Sequence, residues 1–171
     1  LKAENEFRLT PKELCDAITP KTKLLVFPFP SNPTGAVMER NDLEMIAEVL
    51  KDTNIMVLSD EIYSEMTYNG AKHVSFAEID DMRERTIVIN GFSKAFAMTG
   101  WRLGWICGNK EAIKFFAKLK STIDNGVMKP MQKAAAAVLN SKEGNEYIEW
   151  ANGEFKKRQQ ILVEGLKKLG W

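Results

Sequence analysis

The sequence predicts an α/β fold with a mostly parallel sheet and helices on both faces, and three observations carry that reading. Continuous apolar runs of strand length occur near 23–29, 54–60, 85–91 and 103–108, without the alternation of a half-exposed sheet. Stretches with helical periodicity lie between and after these runs. Polar residues with chemical potential, Asn32, Asp60 and Lys94, each follow the end of one of the first three runs, where functional groups of parallel sheets gather.

Taken in order, "KLLVFPF" over 23–29 is the first strand; Pro28 and Pro30 close it, and "SNPTG" supplies turn chemistry. Leu43, Ile46, Ala47 and Leu50 share a helical face, and Asn41 followed by Glu44 has capping-box spacing, which predicts a helix over 41–52. "NIMVLSD" is a second strand ending at Asp60, followed by a short turn in "EIYSEM". "RTIVING" is a third strand, stopping just before Lys94, and "LGWICG" a fourth. Asn109 is suited to cap a helix that places Ile113, Phe116, Ala117 and Lys120 on one face. A break at "DNGVMKP" precedes a helix near 131–140, and a last helical pattern runs from about Ser141 through Tyr147, Ala151, Phe155, Leu162 and Leu169.

The chain has 171 residues, the size of one domain or of one domain plus the start of another. Hydrophobic residues make up 44% and charged residues 27%, with a net charge of +1, which argues against a disordered chain and gives nucleic acid no electrostatic handle. No apolar run approaches the roughly 20 residues that span a bilayer, and "LKAENEF" lacks the apolar centre of a signal peptide, so the expected compartment is the cytoplasm, without a membrane partner. Cys15 and Cys107 lack CxxC spacing and His73 is the sole histidine, so neither a disulfide framework nor a zinc site is expected. The first residue is Leu1 and the last, Trp171, falls inside a helical pattern; the chain is therefore expected to be a piece of a longer protein.

Each polar residue has an ordinary reading beside a functional one. A carboxylate such as Asp60 at a strand end commonly caps the next turn, but Tyr63 follows three positions on, so one helical turn points phenol and carboxylate the same way. Most lysines are solvated, yet Lys94 lies between "GFS" and "AFAMTGW" with no neighbouring charge, and partial burial favours a neutral, nucleophilic amine able to form a Schiff base. Arg102 in "TGWRLG" is either one half of a buried ion pair or, with glycines allowing close approach, a guanidinium fork for a phosphate or carboxylate. Asn32 in "SNPTG" is ordinarily a turn residue, held extended by Pro33. A Schiff-base lysine, a carboxylate for a ring nitrogen and an arginine for a phosphate together form the set that pyridoxal phosphate requires.

"SNPTG", "SDEIY" and "GFSKAFAMTGWRLG", in this order and spacing, resemble the class I/II pyridoxal-phosphate aminotransferases of the aspartate aminotransferase superfamily, along nearly the whole chain. The resemblance implies fold type I, with a large domain around a seven-stranded, mostly parallel sheet and a small domain built from both chain ends. Residues 1–140 would be the C-terminal half of the large domain, and 141–171 a long helix leading toward the small one. It implies that Lys94 carries the cofactor as a Schiff base and moves the proton at the substrate α-carbon, that Asp60 partners the pyridinium nitrogen, that Tyr63 and Asn32 hydrogen-bond the phenolate oxygen, and that Arg102 holds the phosphate. Gly91 stands where many members have a phosphate-binding serine, and Ser93 is the substitute hydroxyl.

The same resemblance implies amino acid and 2-oxoacid substrates and a homodimer with sites at the subunit interface. The phosphate-cup loop, the aromatic residue stacking on the ring and the late arginine for the substrate carboxylate fall outside the chain, so the piece alone is expected to fold without transaminating. The segment over 118–139 is similar to LL-diaminopimelate aminotransferases, with Thr122-Ile123-Asp124-Asn125-Gly126 where those have an N-I-D-S-G type sequence. The alternatives are a β-lyase, a decarboxylase or a synthase on the same site, or a non-catalytic sensor domain.

Overall fold

The computed structural model describes residues 1–68 and 70–171, with four strands in one sheet: β1 Leu24–Pro28, β2 Met56–Asp60, β3 Thr86–Gly91 and β4 Gly104–Gly108. Their order is β1-β2-β3-β4; the first three run parallel, and β4 returns antiparallel along β3. The parallel crossovers carry helical segments, as parallel pairing requires, while the shorter 92–103 connection lets β4 reverse direction. The α/β class and the mostly parallel sheet are as the apolar runs predict.

Register sorts the side chains into two faces. Phe27, Ser59, Val88 and Cys107 form one row; Pro28, Asp60, Ile89 and Ile106 form a row on the other face. Helix α2 (Arg40–Leu50) covers the Phe27 face, where Leu43, Ile46, Ala47 and Leu50 pack with Phe27, Val57, Phe76 and Met82. Phe27 lies 4.7 Å from Phe29 and 5.3 Å from Phe76 between ring centroids, a tilted cluster at the centre of this core. Helix α3 (Lys110–Ile123) packs against β4, and its Ile113, Phe116, Ala117 and Lys120 line a groove with Ile106 on the other side of the sheet. Helices therefore flank both faces. The β1 end of this second face is open, with Leu24 47% and Val26 57% exposed.

Several boundaries differ from those read in the sequence. Helix α1 (Pro11–Ala17) has no counterpart there, although its signal is present: Thr10 and Glu13 form a reciprocal capping box with proline in the first turn. Helix α2 begins one residue early because Glu39 and Asp42, not Asn41 and Glu44, make its capping box. Asp42 also accepts a hydrogen bond from Arg8 at 3.0 Å, so a long-range ion pair chooses the cap. Helix α4 spans Lys129–Leu139, starting before residue 131 because Pro130 is accommodated in its first turn. Asn109 caps α3 as predicted, and Ser141, where the last helical pattern was expected to begin, caps α5 (Lys142–Lys168).

Candidate active site

The candidate side chains Asn32, Asp60, Tyr63 and Lys94 sit at the ends of β1, β2 and β3, where parallel-sheet topology gathers binding groups. After β1, the chain turns through 30–36, where the Ser31 amide donates to the Ala36 carbonyl and the Gly35 amide to the Ser31 carbonyl. Asn32 lies on this turn, exposed, and its Nδ2 donates to the Tyr63 hydroxyl at 3.2 Å. Asp60 is the last residue of β2; it is half-buried, and its Oδ1 accepts the Ile62 amide at 3.2 Å. The ordinary capping role is thus real and coexists with position at the sheet edge. Tyr63 follows within the same turn, and the Asn90 amide nitrogen ties that turn to β3 through the Ser64 hydroxyl at 3.0 Å.

Lys94 lies just past β3, in a turn closed by hydrogen bonds from the Phe92 amide to Leu103 and from the Met98 amide to Phe92. Its apolar neighbours have a packing reason. Phe92 is buried against Leu103 and Ala135 of α4, with Phe96 and Met98 beside them, and Ala95 is buried as well. These anchors leave Ser93 and Lys94 half-buried, and the Lys94 ammonium lies 5.6 Å from the centroid of the Tyr63 ring. At this distance ring and cation attract by about 0.5–1 kcal/mol. Lys94, Tyr63 and Asn32 are therefore one connected group.

Arg102 is exposed, and its backbone is left-handed at φ 51°, a conformation that non-glycine residues hold only when their surroundings impose it. Its guanidinium donates to the Thr99 carbonyl at 2.9 Å, while the Thr99 hydroxyl donates to the Ser93 carbonyl at 3.0 Å. Thr99, which the sequence reading passed over, is the link that ties Arg102 to the lysine turn. Neither Lys94 nor Arg102 has an acidic partner among the described residues, so the buried ion pair considered for Arg102 is not formed.

Beside Asn32 and Tyr63 opens a cleft of about 420 Å³, lined also by Thr67, Tyr68 and Gln159 of α5. Lys94, Asp60 and Arg102 lie outside its lining, so the cleft adjoins the lysine turn without containing it. Among the described residues no group of three His, Cys, Asp or Glu side chains is placed to hold a metal ion.

A family model described as aminotransferase class I and II matches residues 1–171. The chain belongs to the class I and II aminotransferases. Among curated relatives, an aspartate aminotransferase of Pyrococcus abyssi is 40% identical over 98% of this chain and 43% of its own length. A solved aromatic aminotransferase of Pyrococcus horikoshii superposes with a TM-score of 0.95 at 38% identity, covering 99% of this chain and 45% of the other. The N-succinyldiaminopimelate aminotransferase of Mycobacterium tuberculosis superposes at 0.89 with 34% identity, over 95% and 42% of the two chains. The chain thus spans less than half the length of the relatives it matches, and the resemblance read from its three motifs is borne out.

The missing serine also has a structural reason in this aminotransferase chain. A Cβ on Gly91 would stand 3.0 Å from the Leu103 carbonyl oxygen and 3.1 Å from the Gly104 Cα, closer than side chains ordinarily sit. The close approach of β3 and β4 makes any side chain crowded at this position.

Proposed function

We propose that the chain is the cofactor-binding part of a pyridoxal-phosphate-dependent aminotransferase that moves an amino group between an amino acid and a 2-oxoacid. The observation that carries this reading is the Lys94 amine over the Tyr63 ring, whose hydroxyl meets Asn32. The donor set fits the cofactor group by group: an amine for the aldehyde, a carboxylate at a strand end for the ring nitrogen, a phenol and an amide for the phenolate oxygen, and an arginine without an acidic partner for the phosphate.

Pyridoxal phosphate, when bound, supplies an electron-accepting ring for the charge that develops at the substrate α-carbon. Lys94 Nζ would hold the cofactor at its aldehyde carbon, and its amine would move the proton at the substrate α-carbon. Asp60 would keep the ring nitrogen protonated, and Tyr63 and Asn32 would hold the phenolate oxygen. Arg102 would hold the phosphate, with the Ser93 hydroxyl supplying the contact that Gly91 lacks. Residues 1–140 form part of the large domain, and α5 leads toward a smaller one. By its resemblance to the family, the full-length enzyme would act as a cytoplasmic homodimer.

The deciding experiment incubates full-length protein with pyridoxal phosphate, aspartate or an aromatic amino acid, and 2-oxoglutarate. Transfer of the amino group that requires the 2-oxoacid is the expected outcome. Carbon dioxide or ammonia released without a 2-oxoacid would indicate the decarboxylase or lyase reading, and cofactor binding without turnover of any amino acid would indicate the sensor.

A further inference from the structure

We propose that Glu61 is a positioning residue whose carboxylate fixes the turn that carries Asp60 and Tyr63. The inference rests on the function proposed above and concerns a group that the reading leaves unused. Strand alternation sends Asp60 to one face of the sheet and Glu61 to the other, with Val57 and Ser59. There Glu61 is only 4% exposed, one of the few buried polar residues described in the chain.

A buried carboxylate is costly unless its oxygens are satisfied, and here both are. Oε1 accepts the Ser59 hydroxyl at 2.9 Å and the Ser75 hydroxyl at 2.8 Å, and Oε2 lies 2.8 Å from His73 Nε2. One partner precedes the turn and two follow it, so the carboxylate fastens the base of the segment that holds Tyr63. The main chain of the same residue is fixed as well. The Glu61 amide donates to the Ile89 carbonyl at 2.9 Å, extending the β2–β3 ladder one step past Asp60, and the Glu61 carbonyl accepts the Ser64 amide at 2.9 Å to start the turn. Rotation of Glu61 would therefore move Asp60 on one side and Tyr63 on the other. Packing alone would be served by a leucine of similar volume; three converging donors serve orientation instead.

The test uses full-length protein carrying Glu61→Gln, His73→Ala or His73→Gln, at temperatures well below each variant's melting point. In cofactor-free protein, Glu61→Gln and His73→Ala are expected to speed amide exchange over 61–66 while leaving α2 unchanged. In cofactor-loaded protein both should shift the pH midpoint of the cofactor absorbance and lower kcat by about tenfold with little change in KM, and His73→Gln, which keeps a donor near Oε2, should restore most of both. Unchanged exchange over 61–66 overturns the proposal by itself. So does a lowered melting temperature with midpoint and kcat at wild-type values, which would make the cluster merely structural. Should Glu61→Gln fail to fold, the His73 pair decides alone. Wild-type protein that takes no cofactor at Lys94 refutes the proposed function instead, while the exchange measurement still decides whether Glu61 fixes the turn.

Discussion

Asp60, Tyr63 and Lys94 divide the candidate chemistry among three side chains, and each substitution has its own expected signature. Asp60→Asn keeps size and the hydrogen bond to the Ile62 amide but removes the negative charge. Cofactor binding should survive in part while turnover falls about a hundredfold or more, measured as kcat in the amino-transfer assay. Tyr63→Phe removes the hydroxyl that Asn32 meets while keeping the ring under the Lys94 ammonium. Loss of one hydrogen bond of about 1 kcal/mol predicts a cofactor Kd raised about fivefold, measurable by equilibrium titration. Asn32, Asp60 and Lys94 were legible in the sequence because each stands at or just past a strand end, and Tyr63 because it lies three positions beyond Asp60. Thr99 and Glu61 were not: Thr99 acts through a main-chain contact, and Glu61 has its role through donors up to 14 residues away. The alternation of Val57, Ser59 and Glu61 was the available sign that this carboxylate faces inward.

At the scale of elements, the tight β3–β4 approach makes any side chain crowded at position 91. Gly91→Ser should destabilise the protein by about 1–3 kcal/mol, read from chemical denaturation, because the Leu103 carbonyl and Gly104 are backbone atoms with little freedom to yield. Arg85 acts on another element: its guanidinium donates to the Leu50 and Lys51 carbonyls at the end of α2. Arg85→Ala leaves these carbonyls without that partner and should cost about 1–2 kcal/mol in the same measurement. Strands were legible as apolar runs, α3 from its Asn109 cap and α5 from its apolar pattern. The start of α2 was not, because Arg8 draws Asp42 into the cap from a distant part of the chain. The direction of β4 follows from the short connection after Lys94, whose folding depends on the Phe92 cluster rather than on strand composition.

Across the whole molecule, the larger core lies on the Phe27 face, and the acid sensitivity of the fold should trace to the buried carboxylate beside it. Burial opposes the charge of Glu61, but hydrogen bonds from His73, Ser75 and Ser59, with the charge of His73, outweigh it and hold its pKa below the usual carboxylate range. The Cys107 thiol, pushed upward by burial and by the nearby Glu61 charge, faces the same group. A lowered folded-state pKa contributes stability that is fully present above the ordinary carboxylate value and is lost as pH falls through the lowered one. Melting temperature should therefore decline more steeply below about pH 4 in the wild type than in Glu61→Gln, a difference that thermal scans across pH would detect.

The proposed function stands on Lys94 as the cofactor lysine. Its most direct measurement adds pyridoxal phosphate to full-length protein, reduces with borohydride and maps the modified peptide by mass spectrometry. The expected result is a single cofactor adduct on Lys94; an adduct on any other lysine, or none, would contradict the claim.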